Sequence, residues 1–187
     1  LFMPNYKDIF SFKPKNKIYL HSFSRQLCGK YRPGHFKGVL NVVNRLLELI
    51  KPKHIFLGKK DFQQLILIKK HIEKKNIKTS IVACNTVREN NFLPYSTRNN
   101  NLNKKNKTLA CKIFKILKNE KNTIKRKKLK KINLSIVRRK ILNLGIKKID
   151  YIEAINLKNL KKAKRFNENF NIFSAFYIDK VRLIDNF

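Results

Sequence analysis

Gly58-Lys59-Lys60-Asp61-Phe62-Gln63-Gln64 is the stretch on which the reading of this chain turns. Ahead of it, His54-Ile55-Phe56-Leu57 is a short apolar run of strand type; behind it, Leu65-Ile66-Leu67-Ile68 opens a helix-like segment that closes in charge at Lys74-Lys75. Strand, glycine, then helix is a connection that places backbone N–H groups at a helix N-terminus, where an anion can sit. Gly58 lets the chain turn tightly and lets a ligand approach the backbone. Lys60 offers a point charge for phosphate. Asp61 can accept from a sugar hydroxyl, and Gln64, one turn on, can meet a polar substrate. The same residues also read as a D-x-x-Q capping box, Asp61 with Gln64, which stabilises a helix start with no ligand at all. The stretch by itself leaves both readings open.

Working outward, Ile81-Val82-Ala83-Cys84 is a second β-type run, separated from the first by the helix Phe62–Lys74. Apolar runs alternating with helices of this length indicate a βαβ unit and a parallel sheet. Ligands of such sheets bind beyond the carboxyl ends of the strands. Gly58 lies past one strand end and Thr86-Val87-Arg88-Glu89 past the next, so two polar clusters are expected on one sheet edge, which favours the site over the cap. Upstream, Gly38 to Ile50 is apolar over more than one stripe, which predicts a largely buried helix that Pro52 ends. Arg25 to Lys37 reads as a loop made more mobile by Gly29 and turning at Pro33-Gly34. Arg32 and His35 flank that turn and are candidates to line a site, although a loop histidine is often merely exposed. Ile18-Tyr19-Leu20, inside Asn16–Phe23, predicts a short strand, and Leu1 to Phe12 a strand end followed by a loop turning at Pro4 and Asn5.

Downstream, Asn90 to Asn103 reads as a loop in which Ser96-Thr97-Arg98 offers two hydroxyls and a guanidinium, a set suited to a flexible clamp on phosphate oxygens. It reads equally as a polar turn. Asn103–Lys118 predicts a helix with Leu109, Ile113, Phe114 and Leu117 on one side, and Lys121–Lys131 a solvated helix face or connection. Asn133–Leu144 predicts another helix, capped by Gly145. Asp150–Leu157, Ile172–Ile178 and Val181–Ile184 predict strands, the last two a hairpin turning at Lys180. The pattern changes near Cys84–Arg88, so the expected division is an α/β part over residues 1–84 and an α+β part over residues 85–187. No internal repeat is visible.

The chain has 187 residues, 42% of them hydrophobic, enough for a real core. Its formal net charge is +34, from 45 Lys+Arg against 11 Asp+Glu. A nucleic-acid or anionic-membrane binder would carry such a charge. The basic residues are spread along the chain, however, and Lys, Asn, Ile and Phe abound where Gly, Pro and Ala are scarce. A/T-rich codons produce that pattern without selection for binding, so the expectation is no nucleic acid. No apolar run reaches the length of a membrane span, and no signal peptide is visible. Three cysteines, Cys28, Cys84 and Cys111, stand far apart with no C-x-x-C. They suggest a reducing, cytoplasmic setting, no metal site, and three small buried hydrophobes. The chain starts at Leu1 rather than Met, and the expectation is a segment that begins within a domain.

Taken in order, Arg32-Pro33-Gly34-His35-Phe36, Gly58-Lys59-Lys60-Asp61-Phe62-Gln63-Gln64, Thr86-Val87-Arg88-Glu89 and Ser96-Thr97-Arg98-Asn99 closely resemble the pantothenate synthetase (pantoate–beta-alanine ligase) family. The resemblance takes in Leu1–Pro4 and Val181-Arg182-Leu183-Ile184-Asp185-Asn186, and is weakest across Lys118–Lys148 and Lys158–Asn171. It implies a Rossmann-like nucleotidylyltransferase domain of the HIGH-signature type, here its C-terminal part, followed by a small α+β lid domain. It also implies ATP and Mg²⁺, the substrates pantoate and beta-alanine, and a homodimer. By resemblance Gly58, Lys59, Lys60 and Asp61 contact ATP, Val87 lines the nucleotide pocket, Tyr95, Ser96, Thr97 and Arg98 hold its phosphates, and Gln64 contacts pantoate. Lys59 stands where the family usually has Glu, and Thr97 replaces a serine but keeps the hydroxyl. The family's HxGH motif and its first pantoate-binding glutamine would lie upstream of Leu1.

The reaction so implied joins ATP and pantoate into pantoyl-adenylate and pyrophosphate, after which the amine of beta-alanine attacks the activated acyl group. Lys60 and Arg98 are the expected catalytic residues, facing one cleft and offsetting charge on the phosphate oxygens. An inactive remnant of such an enzyme and a basic nucleic-acid-binding module are the alternatives.

Overall fold

A computed structural model describes residues 3–11 and 17–187. The strand end expected at Leu1-Phe2 and the start of the extended segment at Asn16 lie outside the described residues. Two compact units divide the chain, Leu1–Asn85 and Thr86–Phe187. The elements in order are α1 (Tyr6–Phe10), α2 (Leu27–Tyr31), α3 (His35–Ile50), β1 (His54–Gly58), α4 (Phe62–Lys74), β2 (Ser80–Cys84), α5 (Lys104–Arg126), α6 (Ser135–Leu142), β3 (Lys148–Asn156), β4 (Phe170–Ile178) and β5 (Val181–Asn186). Among the described residues, no helix is long and apolar enough to cross a membrane.

In the first unit β1 and β2 pair in parallel, with Ile55 opposite Ile81 and Gly58 opposite Cys84. Parallel neighbours need a crossover, which α4 supplies. Helix α4 buries Leu65, Ile68 and Ile72 at helical spacing and turns Lys69, Lys70 and Glu73 outward, where Lys70 and Glu73 pair at 2.9 Å. It ends in a Schellman motif: Asn76 sits at φ 52, its N–H donates to Glu73 O at 3.3 Å, and Ile77 N–H donates to Ile72 O at 3.1 Å. Ile77 then packs beside Ile72 on a core that includes Leu40, Leu47 and Ile68. Ile55, Leu57 and Ile81 face that core. Phe56 and its register neighbour Val82 alternate to the other face, and Phe56 is 70% exposed.

Four expectations change here. Residues 6–10 form a short helix, because Asn5 and Asp8 make a reciprocal capping box. Ile18-Tyr19-Leu20 is not a strand; Tyr19 N–H donates to His71 Nδ1 at 3.0 Å instead of to a neighbouring strand. The segment 25–37 is mostly helical, and Gly29 is a packing residue in α2 rather than a source of mobility. A Cβ there would run into the carbonyl of Ser24. Helix α3 is one-sided rather than largely buried: Phe36, Leu40 and Leu47 point inward, while Val42, Leu49 and Ile50 are exposed.

The second unit is an antiparallel sheet in the order β3-β4-β5. Ala154 faces Ile172 across the first pair, and Ile178 faces Val181 at the hairpin turn. Helix α5 lays Ile113, Phe114, Leu117 and Ile124 into the core, and Phe114 meets Phe176 with ring centroids 5.4 Å apart. Its apolar period continues to Ile124, fully buried, which is why the helix runs on through the first lysines of the basic stretch to Arg126. Helix α6 is shorter than expected at both ends, and Gly145 at φ 91 closes the turn after it by donating to Leu142 O at 2.9 Å.

Candidate functional site

The strand-end motif is built by β1 and α4. Gly58 closes β1 at φ −71 and ψ 133, extended backbone that any residue adopts, so the tight turn expected of this glycine does not occur. Apart from its own atoms and those of its two chain neighbours, no described atom lies within 4 Å of where its Cβ would stand. Backbone and packing therefore leave the surface over Gly58 open to close approach. Lys59–Asp61 make one 3-10 turn before α4 begins at Phe62. The capping box does not form: Asp61 has φ −90 and ψ 48, away from the extended geometry of a good N-cap, and makes no side-chain cap bond. Asp61 is exposed and Lys60 half-buried. Lys59 reaches over the end of β2, donating from Nζ to Asn85 Oδ1 at 2.8 Å.

The two glutamines of the motif divide. Gln63 is buried and clamps the turn before α2: its Nε2 donates to Phe23 O at 2.7 Å and Gln26 O at 2.8 Å, and its Oε1 accepts from Cys28 N–H at 3.0 Å. The clamp holds Leu27 at φ 43, a left-handed conformation that costs a branched residue free energy. Gln64 stands next to this clamp, half-buried, at the third position of α4. Farther along, Gly34 at φ 78 begins α3. That turn brings Arg32 and His35 together, Arg32 Nη1 donating to His35 Nε2 at 2.9 Å.

In the second unit, Tyr95 N–H donates to Val87 O at 3.1 Å, beside an antiparallel bridge of Arg88 with Pro94. This sets Val87 and Tyr95 side by side, 69% and 61% exposed. Arg88 and Glu89, read in the sequence as part of a polar cluster at a sheet edge, are engaged within this unit. Arg88 pairs with Asp185, and Glu89 Oε1 accepts from Asn99 Nδ2 at 3.3 Å. Asn99 is buried and also donates to Pro94 O at 3.0 Å. The segment Thr97–Asn101 is a 3-10 turn, so this part of the expected loop has regular structure. Ser96 caps it, Oγ accepting from Arg98 N–H at 3.3 Å, which leaves the Ser96 O–H able to donate elsewhere. Thr97 and Arg98 are exposed.

Gln63, Asn85 and Asn99, to which no role is assigned above, hold these segments in place. Gln63 had a legible signal, since it lies one helical turn before Leu67, a core position. Asn85 and Asn99 act through partners distant in sequence or through a backbone turn, and no spacing announces them. Cys28 and Cys111 are buried as expected, but Cys84 is exposed, because it sits on the sheet face away from the helices. Among the described residues, no group of three or more His, Cys, Asp or Glu stands where it could hold a metal ion.

The model of one family, described as pantoate-beta-alanine ligase, matches residues 1–187. A bifunctional pantoate ligase/cytidylate kinase from Prochlorococcus marinus is 40% identical over 192 residues, spanning 100% of this chain and 36% of the relative. A pantothenate synthetase from Flavobacterium psychrophilum is 33% identical, again over 100% of this chain and 67% of its own length. Among solved structures, a pantoate-beta-alanine ligase from Francisella tularensis, complexed with beta-gamma ATP and beta-alanine, superposes with a TM-score of 0.74 at 38% identity, over 97% of this chain and 61% of that one. The chain thus spans between about a third and two thirds of the length of these relatives.

Proposed function

The chain belongs to the pantoate–beta-alanine ligase family, and from that premise we propose that it serves the ATP-dependent condensation of pantoate with beta-alanine. The products are pantothenate, AMP and pyrophosphate, formed through pantoyl-adenylate. The observation that carries the proposal is the open surface over Gly58, at the carboxyl end of β1 and ahead of a helix start that Asp61 does not cap. A parallel strand ending in this way offers a nucleotide phosphate backbone donors and close approach. The Francisella tularensis relative was solved with beta-gamma ATP and beta-alanine, which agrees with those substrates.

Residues 1–84 take the nucleotide and pantoate, and residues 85–187 carry the phosphate loop. Gly58, Lys59, Lys60 and Asp61 contact ATP, Val87 and Tyr95 flank the nucleotide, and Ser96, Thr97 and Arg98 hold phosphate oxygens. Gln64 contacts pantoate, while Arg32 and His35 line the site. Lys60 and Arg98 are the catalytic cations: attack of the pantoate carboxylate on the α-phosphorus places charge on phosphate oxygens, and fixed positive groups stabilise it most in the transition state. Aminolysis of the adenylate by beta-alanine needs no covalent nucleophile from the protein; positioning and exclusion of water supply the rate. Mg²⁺ brought in with ATP would supply further positive charge to offset that developing on the phosphate oxygens. A cytoplasmic homodimer completes the reading.

The test is a single-turnover measurement of pyrophosphate release from ATP and pantoate by the full-length polypeptide. Lys60→Ala and Arg98→Ala should each slow release by ~10²–10³-fold, the scale for losing one preorganised stabilising group. Near-normal rates in both variants would remove the two residues from catalysis.

A further inference from the structure

Helix α5 carries Lys118, Lys121 and Lys125 on one face, one per turn. Each ammonium lies over an aromatic ring: Lys118 Nζ is 4.7 Å from the centroid of Phe92, and Lys121 and Lys125 are 5.8 and 5.6 Å from that of Phe170. Stacking on a ring face holds a lysine tip that would otherwise sample many rotamers. Lys121 is fixed further, donating to Asn171 Oδ1 at 2.7 Å, and Asn171 is itself oriented by donating to Asn186 Oδ1 at 3.0 Å. None of the three lysines forms an ion pair with a carboxylate of the described residues.

From this geometry we propose that the Lys118–Lys121–Lys125 face of α5 is a binding site for a small, multiply charged phosphate, distinct from the strand-end motif and the Tyr95–Arg98 loop. A dispersed lysine surface would be unremarked here; three ammonium groups ordered over phenylalanine rings, with no carboxylate paired to them among the described residues, are not dispersed. One turn of helix separates Lys121 from Lys125, ~6 Å along the axis, a span that a diphosphate bridges. Burial and the neighbouring Lys125 charge lower the Lys121 amine to about 8. An anion bound between the two would relieve that repulsion and favour the charged amine. The opposing effect is the negative end of α5, worth roughly half a charge and confined to its last turn, against three full positive charges.

The experiment follows the Lys121 side-chain amine by NMR titration in the full chain, with pyrophosphate, AMP, single-stranded RNA, or sodium chloride of matched ionic strength. Pyrophosphate or AMP should move its midpoint upward by ~1 unit or more. Pyrophosphate acting alone assigns the free ion, and AMP acting alone assigns a nucleotide. Lys118→Met/Lys125→Met, at two exposed positions, should lose most of the shift while the fold persists. The proposal is overturned if chloride reproduces the shift, if neither phosphate moves the midpoint, if the double variant keeps the whole effect, or if only RNA acts.

Discussion

Arg88 lays its guanidinium against the carboxylate of Asp185, Nη1 to Oδ2 at 2.7 Å and Nη2 to Oδ1 at 3.1 Å. Asp185 is fully enclosed at its side chain, and Arg88 is 19% exposed. The rings of Phe92 and Phe187 flank the guanidinium at 4.5 and 5.0 Å. The pair ties the start of the second unit to its last strand, 97 residues away. Removing one partner leaves the other charge buried, which costs far more than the intact pair contributes. Asp185→Asn should therefore lose about 3–5 kcal/mol in urea unfolding. A loss below about 1 kcal/mol would place the pair among surface ion pairs of little weight.

Gln63 and Gln64 should separate stability from chemistry. Gln63→Ala removes the acceptor of the Cys28 N–H and one donor each from the carbonyls of Phe23 and Gln26, which still accept from Gln26 N–H and Gly29 N–H, and should cost roughly 1–3 kcal/mol. Gln64→Ala should unfold like the parent while raising the apparent KM for pantoate. Equal destabilisation by both variants would contradict this division.

Gly29 and Gly58 form a second contrast. Gly29→Ala drives a methyl into the Ser24 carbonyl and should cost about 3 kcal/mol or more, at the upper end of overpacking. Gly58→Ala meets open space and ordinary backbone, so its thermal midpoint should hardly move. ATP binding should nonetheless weaken by ~10-fold or more through steric exclusion at the backbone. Isothermal titration of ATP into the folded Gly58→Ala protein checks this, and unchanged affinity would move the nucleotide away from β1.

Much of this was legible in the sequence because the apolar runs carried two distinct periods. His54–Leu57 and Ile81–Cys84 were short, apolar and separated by a helical stretch, and they form the parallel pair. The helix at 62–74 was readable to the residue because its buried stripe and charged ends agree. Ile18-Tyr19-Leu20 carried the same extended signal but found a histidine rather than a strand as its partner. Asp61 with Gln64 matched a capping pattern whose backbone geometry never arises. Arg88 stood inside a readable polar cluster, yet what decides its role is an aspartate at the far end of the chain, which no local pattern reveals.

His71 gives the first unit a pH dependence. Its Nδ1 accepts from Tyr19 N–H and its Nε2–H donates to Asn44 Oδ1, both at 3.0 Å. Burial lowers its pKa below 6.5, Lys75 lowers it further, and Glu48 opposes them. The unfolded chain then binds the proton more readily than the folded one, so this stabilisation is complete above about pH 6.5 and is lost as pH falls toward the folded value. Urea midpoints measured from pH 7.5 down to 5 should decline, and His71→Gln should flatten that decline. A parallel decline in both proteins would assign the effect to other groups.

Cys84 is exposed, whereas Cys28 and Cys111 are buried, and in the sheet register Cys84 stands directly opposite Gly58. The fold thus supplies its own labelling handle. A maleimide dye added to the native protein should enter at one thiol, a strand's width from the glycine where the nucleotide is proposed to lie. Its fluorescence would report occupancy of that glycine without an engineered cysteine, and the two buried thiols would react only as the protein unfolds.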